Sequence, residues 1–212
     1  MEGVKAWLAP LTGALAVAVL VAAGLIVGET PDATDESAQQ VVDFYIDNED
    51  SVFIGSLLFG LGGLLLLYFG SWLRRLLRDA EGPTGILSAV AFGGTVVFAA
   101  GAAVSATLGV ALADTADDID PVAVQALNAF QWNYFVPFAV GVSALMFSTG
   151  LSVIRHGALP KWLGWVALII GIAAYTPAGF VAAALAGAWI VVVSIMSALG
   201  RRGAPSGTTP PA

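Results

Sequence analysis

The chain has 212 residues, 58% hydrophobic and 11% charged, with a formal net charge of −7 and a mean hydropathy of +0.87. A soluble domain carries roughly 25% charged residues, so this balance excludes an ordinary soluble domain and places the chain among integral membrane proteins. There is no cysteine, which removes disulfides, thiolate metal sites and cysteine nucleophiles.

The expected fold is all-α: a polytopic membrane bundle of six transmembrane helices in one domain, about residues 1–200. A Gly/Pro/Ser/Thr-rich tail, 201–212, is expected to be disordered and cytoplasmic. The first span covers about 6–28, is free of charge, and holds Pro10 near its start, where proline is tolerated. A cleaved signal peptide is the alternative reading, since Lys5 precedes the run; the run is too long for a typical signal core. The following segment, Glu29 to Ser51, is acidic. Within it Ala38, Val41, Val42, Tyr45 and Ile46 recur at helical spacing, with Thr34 as the expected N-cap. This predicts a short amphipathic helix lying on the membrane surface.

The second span covers about 52–73 and is followed by Arg74, Arg75 and Arg78, then by a turn at Glu81-Gly82-Pro83-Thr84-Gly85. The third, 86–113, carries Gly101, Ser105 and Gly109 four apart, a stripe that lets helix backbones approach closely. After a second acidic loop, Asp120-Pro121 reads as N-cap and first helical residue. The fourth span, about 128–154, is interrupted by Pro137, which removes one N–H, frees the carbonyl of Asn133 and predicts a kink. The fifth, 161–176, reaches roughly 24 Å at ~1.5 Å per residue, short of a ~30 Å hydrocarbon core. The sixth, 180–199, follows the break at Pro177-Ala178-Gly179 and repeats the small-residue pattern at Gly179, Ala183 and Gly187.

The turn Arg155-His156-Gly157-Ala158-Leu159-Pro160-Lys161-Trp162-Leu163-Gly164-Trp165 sets the orientation. Gly157 can end one helix and Pro160 can start the next, while Lys161, Trp162 and Trp165 suit a membrane–water boundary. The eight basic residues all fall at the N-terminus, after the second and fourth spans, or at the C-terminus. The opposite loops hold every acid except Glu2, Asp79 and Glu81. The positive-inside rule then predicts both termini in the cytoplasm.

No Asp, Glu, Lys, Arg or His falls within a span, which argues against ion pumps, proton-coupled carriers, intramembrane aspartyl proteases and voltage sensors. His156, the only histidine, sits at the inner surface; a helix C-terminal residue is a stronger reading than a haem or catalytic imidazole. Gly141-Val142-Ser143-Ala144 lacks the second glycine and the base of a nucleophile turn, so a helix contact is the stronger reading. The acidic loops, with Asp43, Asp47, Glu49, Asp50, Asp114, Asp117 and Asp118, lack an EF-hand pattern and read as a solvated outer surface. No metal and no cofactor is expected.

One uncharged set stands out. Gln131, Asn133 and Tyr134 lie near the outer end of the fourth span, Thr107 near that of the third, and Tyr175 and Thr176 end the short fifth. A kinked helix beside a short one leaves space, so a pocket opening outward and lined by some of these residues is expected. An interfacial belt with interhelical hydrogen bonds is the alternative.

Leu159-Pro160-Lys161-Trp162-Leu163-Gly164-Trp165, an apolar span, and Ala188-Trp189-Ile190-Val191-Val192-Val193-Ser194 together resemble the C-terminal half of a family of uncharacterised six-span bacterial membrane proteins. Members carry a Leu-Pro-Arg/Lys-Trp-Leu-Gly turn before the fifth span, and many come from actinobacteria. The resemblance covers roughly residues 130–200 and implies an architecture in a bacterial plasma membrane, with no activity attached. Two functions compete. The leading one is a non-enzymatic scaffold, accessory subunit or sensor with a membrane-protein partner or a second copy of itself. The other is a binder or carrier of a small apolar or lipid-like molecule. The lipid bilayer is a partner in both, and nucleic acid in neither.

Overall fold

The computed structural model of the chain describes residues 8–32 and 36–202. Lys5, Thr34 and the tail from Gly203 onward, named above, lie outside these. Among the described residues there are helices and no strand. Helix α1 runs Leu8–Val27, α2 Ala38–Asp47, α3 Glu49–Glu81, α4 Ile86–Thr115, α5 Pro121–Asn133, α6 Val136–His156, α7 Lys161–Ala173 and α8 Gly179–Arg202.

Local sequence explains the boundaries. Ser37 caps α2: its hydroxyl accepts from the Gln40 N–H, and the Gln40 side chain accepts from the Ser37 N–H. The expected cap, Thr34, lies upstream of this box. Asp120 caps α5 through the Val122 N–H, with Pro121 in the first turn. Gly157 ends α6 at φ 78°, in the left-handed region that favours glycine, and Pro160 caps α7. Pro137 does more than kink the fourth hydrophobic segment. The chain leaves helical geometry at Tyr134, and Pro137 falls in the first turn of a new helix, where its missing N–H costs nothing.

Among the described residues, five stretches are long and apolar enough to cross a membrane: α1, α3, α4, α5 with α6, and α8. The sixth apolar helix, α7, has 13 residues and is about 20 Å long. Helix α3 has 33 residues, about 50 Å, so it continues beyond the expected end of its span and carries Arg74, Arg75 and Arg78 in its last turns.

The helices pack antiparallel in a ring, in the order α1, α3, α4, α6, α7, α8 and back to α1. Glycines set the close contacts. A Cβ on Gly63 of α3 would fall 2.9 Å from the Ala102 Cβ of α4. One on Gly94 of α4 would fall 2.6 Å from the Gly141 carbonyl of α6, and one on Gly150 of α6 would fall 2.6 Å from the Gly164 carbonyl of α7. Close approach of this kind replaces the hydrophobic driving force that is absent between helices in lipid. The main core holds Leu66, Phe69, Leu73, Leu77, Met146, Val153, Leu163, Trp189 and Val193. The Trp189 indole donates to the Leu163 carbonyl at 3.0 Å, joining the two motifs that carry the family resemblance. Outward faces stay apolar: Leu15, Leu25, Ile169, Ile172 and Leu199 are all exposed. A helix that is hydrophobic all round belongs in lipid or in a large core.

The ring has two chemically distinct ends. One carries Arg74, Arg75, Arg78, Arg155 and Lys161; the other carries the acidic loops. At the acidic end α2 packs on α5 and on the ends of α3 and α4, forming a second core of Val41, Val42, Tyr45, Val52, Leu112, Ala113, Ala116 and Val124. The apolar face of α2 is therefore covered by protein. The expected membrane-surface helix is instead part of a cap, because α5 supplies a matching apolar face.

Candidate functional site

Helix α7 is short and ends at Ala173. The chain turns at Ala174–Ala178 before α7 has spanned the bundle, and α8 starts at Gly179. The Thr176 hydroxyl fastens this turn, donating to the Ala173 carbonyl at 2.7 Å and accepting from the Ala178 N–H at 3.2 Å. Helices α1, α3, α4, α6 and α8 surround an unfilled space that reaches Ala174 in this turn. The space is a cavity of about 480 Å³, within the ~300–1,000 Å³ typical of ligand sites.

Its walls are apolar. Val17, Leu20 and Val21 come from α1, Phe59 and Leu66 from α3, and Phe98 from α4. Phe135 precedes α6, which adds Phe138, Val142 and Leu145; Ala174 closes the α7 end. Gly179, Ala183 and Gly187, the small-residue pattern on α8, form the remaining wall with Phe180 and Ile190. That pattern lines space where a close helix contact is the usual outcome; a Cβ on Gly187 would meet Val17 at only 3.5 Å. Val21, Phe135 and Phe180 are 55%, 52% and 78% exposed, so the cavity opens through the side of the ring. An aromatic group braces it: Phe138 meets Phe98 and Phe59 edge-on, with centroids 5.2 and 5.7 Å apart.

A second, smaller cavity of about 190 Å³ lies toward the acidic end, lined by Ala23, Gly24, Val27, Gly55, Ser56, Phe59, Ser105, Ala106 and Gln131. No charged side chain lines either one.

The six residues singled out from the sequence do not form one site. Gln131 lines the smaller cavity, and its Oε1 is buried without a hydrogen-bond donor. Tyr134 packs behind the wall of the larger cavity, its ring edge-on to Phe138 at 6.0 Å. Thr107 is exposed on α4 and donates to the Ala103 carbonyl of its own helix. Asn133 is exposed and donates to the Ala129 carbonyl, also within its helix. Tyr175 is 67% exposed, and Thr176 serves its turn. None of the six lines the larger cavity, whose walls are apolar. The polar residues face other ways because helical rotation places Phe135, Phe138 and Val142 inward.

The polar centre that sequence reasoning missed is in the cap. Asn128, 1% exposed, accepts from the Tyr45 hydroxyl at 2.8 Å and donates to the Pro31 carbonyl at 3.0 Å. The Trp132 indole donates to the same carbonyl at 2.8 Å, and the Gln125 amide donates to the Glu36 carbonyl at 2.9 Å. Burial holds the Tyr45 phenol above its usual range, so it stays a donor. At the basic end Glu81 plays a similar joining part. Its carboxylate accepts from the Ser88 N–H in the first turn of α4 and from the Ser152 hydroxyl of α6 at 2.6 Å. The signal available for Asn128 was its position on α5, three residues from Gln125 and three from Gln131, on a helix that is mostly apolar.

His156 is exposed in the last turn of α6. Ser143 lies more than three turns away on the same helix, so the two do not form a nucleophile–base pair. Among the described residues there is no group of three or more His, Cys, Asp or Glu side chains placed to hold a metal ion.

Long apolar helices packed through glycines around a lateral apolar cavity define a membrane-embedded helical protein. Residues 11–201 match the family described as a domain of unknown function, DUF4386, and the chain belongs to that family. No curated protein and no solved structure matches it.

Proposed function

We propose that the protein binds or carries a small apolar, lipid-like molecule in the lateral cavity between α1, α6 and α8. The observation that carries this reading is the cavity itself: ligand-sized, apolar, walled by small residues, and open to the side where lipid would lie. We place the chain in a bacterial plasma membrane as a six-span protein, α7 being the sixth span, with both termini cytoplasmic. The segregation of Arg74, Arg75, Arg78, Arg155 and Lys161 from the acidic loops supports that orientation. The site then belongs to the outer half of the membrane.

The test is purification in a mild detergent followed by lipid analysis. A stoichiometric lipid that disappears in Ala183→Trp supports the binder. A co-purifying membrane protein, or a stable second copy with no bound lipid, would instead support the scaffold, accessory-subunit or sensor reading. The orientation has its own check. Cysteines placed at Ser37 and Thr115 should react with an impermeant thiol reagent in intact cells, and cysteines at Thr84 and Ala158 should not. Labelling at Ala158 from outside would overturn it.

A further inference from the structure

The two cavities occur in a fixed order along three helices of the chain. On α1 the larger is lined by Val17 and Val21 and the smaller by Ala23 and Val27. On α3 the smaller takes Ser56 and the larger Leu66; on α4 the larger takes Phe98 and the smaller Ser105. The smaller cavity therefore lies nearer the acidic end on each of these helices. Phe59 lines both and forms their shared boundary.

They differ in chemistry. The larger is a hydrocarbon surface. The smaller holds two hydroxyls and an amide, and the amide oxygen of Gln131 is buried with no protein donor. A buried acceptor left unbonded is unfavourable, so this oxygen favours an occupant that donates to it. Gly109 of α4 leaves room for the Ser56 hydroxyl, which a Cβ there would overlap. Neither a cation nor an anion is balanced here, and an unpaired charge in such surroundings is strongly disfavoured.

Resting on the lateral-cavity reading, we infer that the two cavities form one bipartite site for a single-chain amphiphile with an uncharged, hydroxyl-bearing headgroup. The chain lies in the larger cavity. The headgroup passes Phe59 and donates to Gln131 Oε1, with Ser56 and Ser105 as further hydroxyl partners. The order of the cavities points the headgroup toward the acidic end, the same direction in which lipid headgroups of that leaflet face.

The test uses the purified full chain in detergent at pH 8 with radiolabelled monoolein, oleate and hexadecane. Monoolein should bind more tightly than oleate or hexadecane. In Gln131→Met, which keeps the volume and removes the acceptor, the preference for monoolein over hexadecane should fall roughly five- to tenfold, the loss of one neutral hydrogen bond. Should that variant fail to fold, Ser105→Ala is read in its place, and the preference should fall in the same direction. If hexadecane or oleate binds as tightly as monoolein, or the preference survives the substitution, the headgroup site is overturned while the apolar cavity stands. If none of the three binds, the lateral-cavity reading fails and the bipartite site with it.

Discussion

The seam between α4, α6 and α7 and the seat of α8 are built from the same residue types and end differently. In the first, glycines let backbones touch: a Cβ on Gly141 would fall 2.9 Å from the Gly94 carbonyl and 2.9 Å from the Phe98 N–H nitrogen. In the second, Gly179, Ala183 and Gly187 line a cavity of about 480 Å³. Small residues four apart permit close approach without enforcing it. What decides is what lies opposite. Gly94 and Gly141 face each other's backbone, whereas Gly187 on α8 faces only the Val17 side chain of α1, at an ordinary contact distance.

The sharpest way to break this contrast is to put the same side chain on both seams. Gly141→Leu drives Cβ into backbone atoms that cannot rotate away, and should cost about 3 kcal/mol or more by overpacking. A large fall in melting temperature in detergent, or failure to accumulate folded protein, is the expected result. A variant that melts like the parent would show that the seam is loose and that the contrast is unfounded.

The cap tests whether polar contacts obey the same logic. Asn128→Leu strips the Tyr45 hydroxyl of its acceptor, while the Pro31 carbonyl retains Trp132. One buried group is left unbonded, a cost of about 1–3 kcal/mol. Hydrogen exchange should rise in α2 and α5 and stay unchanged in α6 and α7. The parent should also lose this contribution in base. The Tyr45 phenol is raised by burial, so the folded state favours its protonated form. The stabilisation is then fully present below about pH 10, the usual tyrosine value, and declines above it. Tyr45→Phe should remove that decline; persistence of the decline in the variant would assign it to another group.

On the second seam the same substitution should behave differently. In Gly187→Leu the added Cβ meets Val17 at 3.5 Å, an ordinary contact, and the rest of the side chain enters the cavity. Stability should stay within about 1 kcal/mol of the parent, while bound lipid is lost. Unfolding of this variant would mean that the α8 seat is as tight as the first seam.

Much of the fold is legible in the sequence because the chemistry behind it is local. Hydrophobic run length marks α1, α3, α4 and α8, and the Asp120 cap and the Gly157 stop are written within a few residues. Pro137 marks the break before α6. The shortness of α7 is readable as well. The lining of the larger cavity is a different matter. Which residues face it depends on the rotation of α6 and α8 about their axes, and that rotation is set by contacts such as Gly94 with Gly141 that lie some 47 positions apart in the chain. For the same reason Asn128 is unremarkable in sequence: its partners, Tyr45 and Pro31, are 83 and 97 residues away.

The smallest expected effect belongs to Asn133, and it completes the contrast because Asn133 and Asn128 are the same residue type on one helix. Five residues separate them, a rotation of about 500° at 3.6 residues per turn, which places them well apart around the axis. Asn128 faces the cap and is buried; Asn133 is exposed and bonds only to the Ala129 carbonyl of its own helix, an oxygen that already belongs to the backbone ladder. Replacing it removes no contact between helices and opens no cavity. Asn133→Leu should therefore change stability by no more than about 0.5 kcal/mol and leave lipid binding at the parental level, measured on the same detergent preparation used for Gly187→Leu. Loss of binding in Asn133→Leu with the fold intact would move the site from the apolar cavity to the outer polar residues of the fourth hydrophobic segment. Loss of the fold would make Asn133 a second structural amide, and the distinction between the two asparagines would collapse.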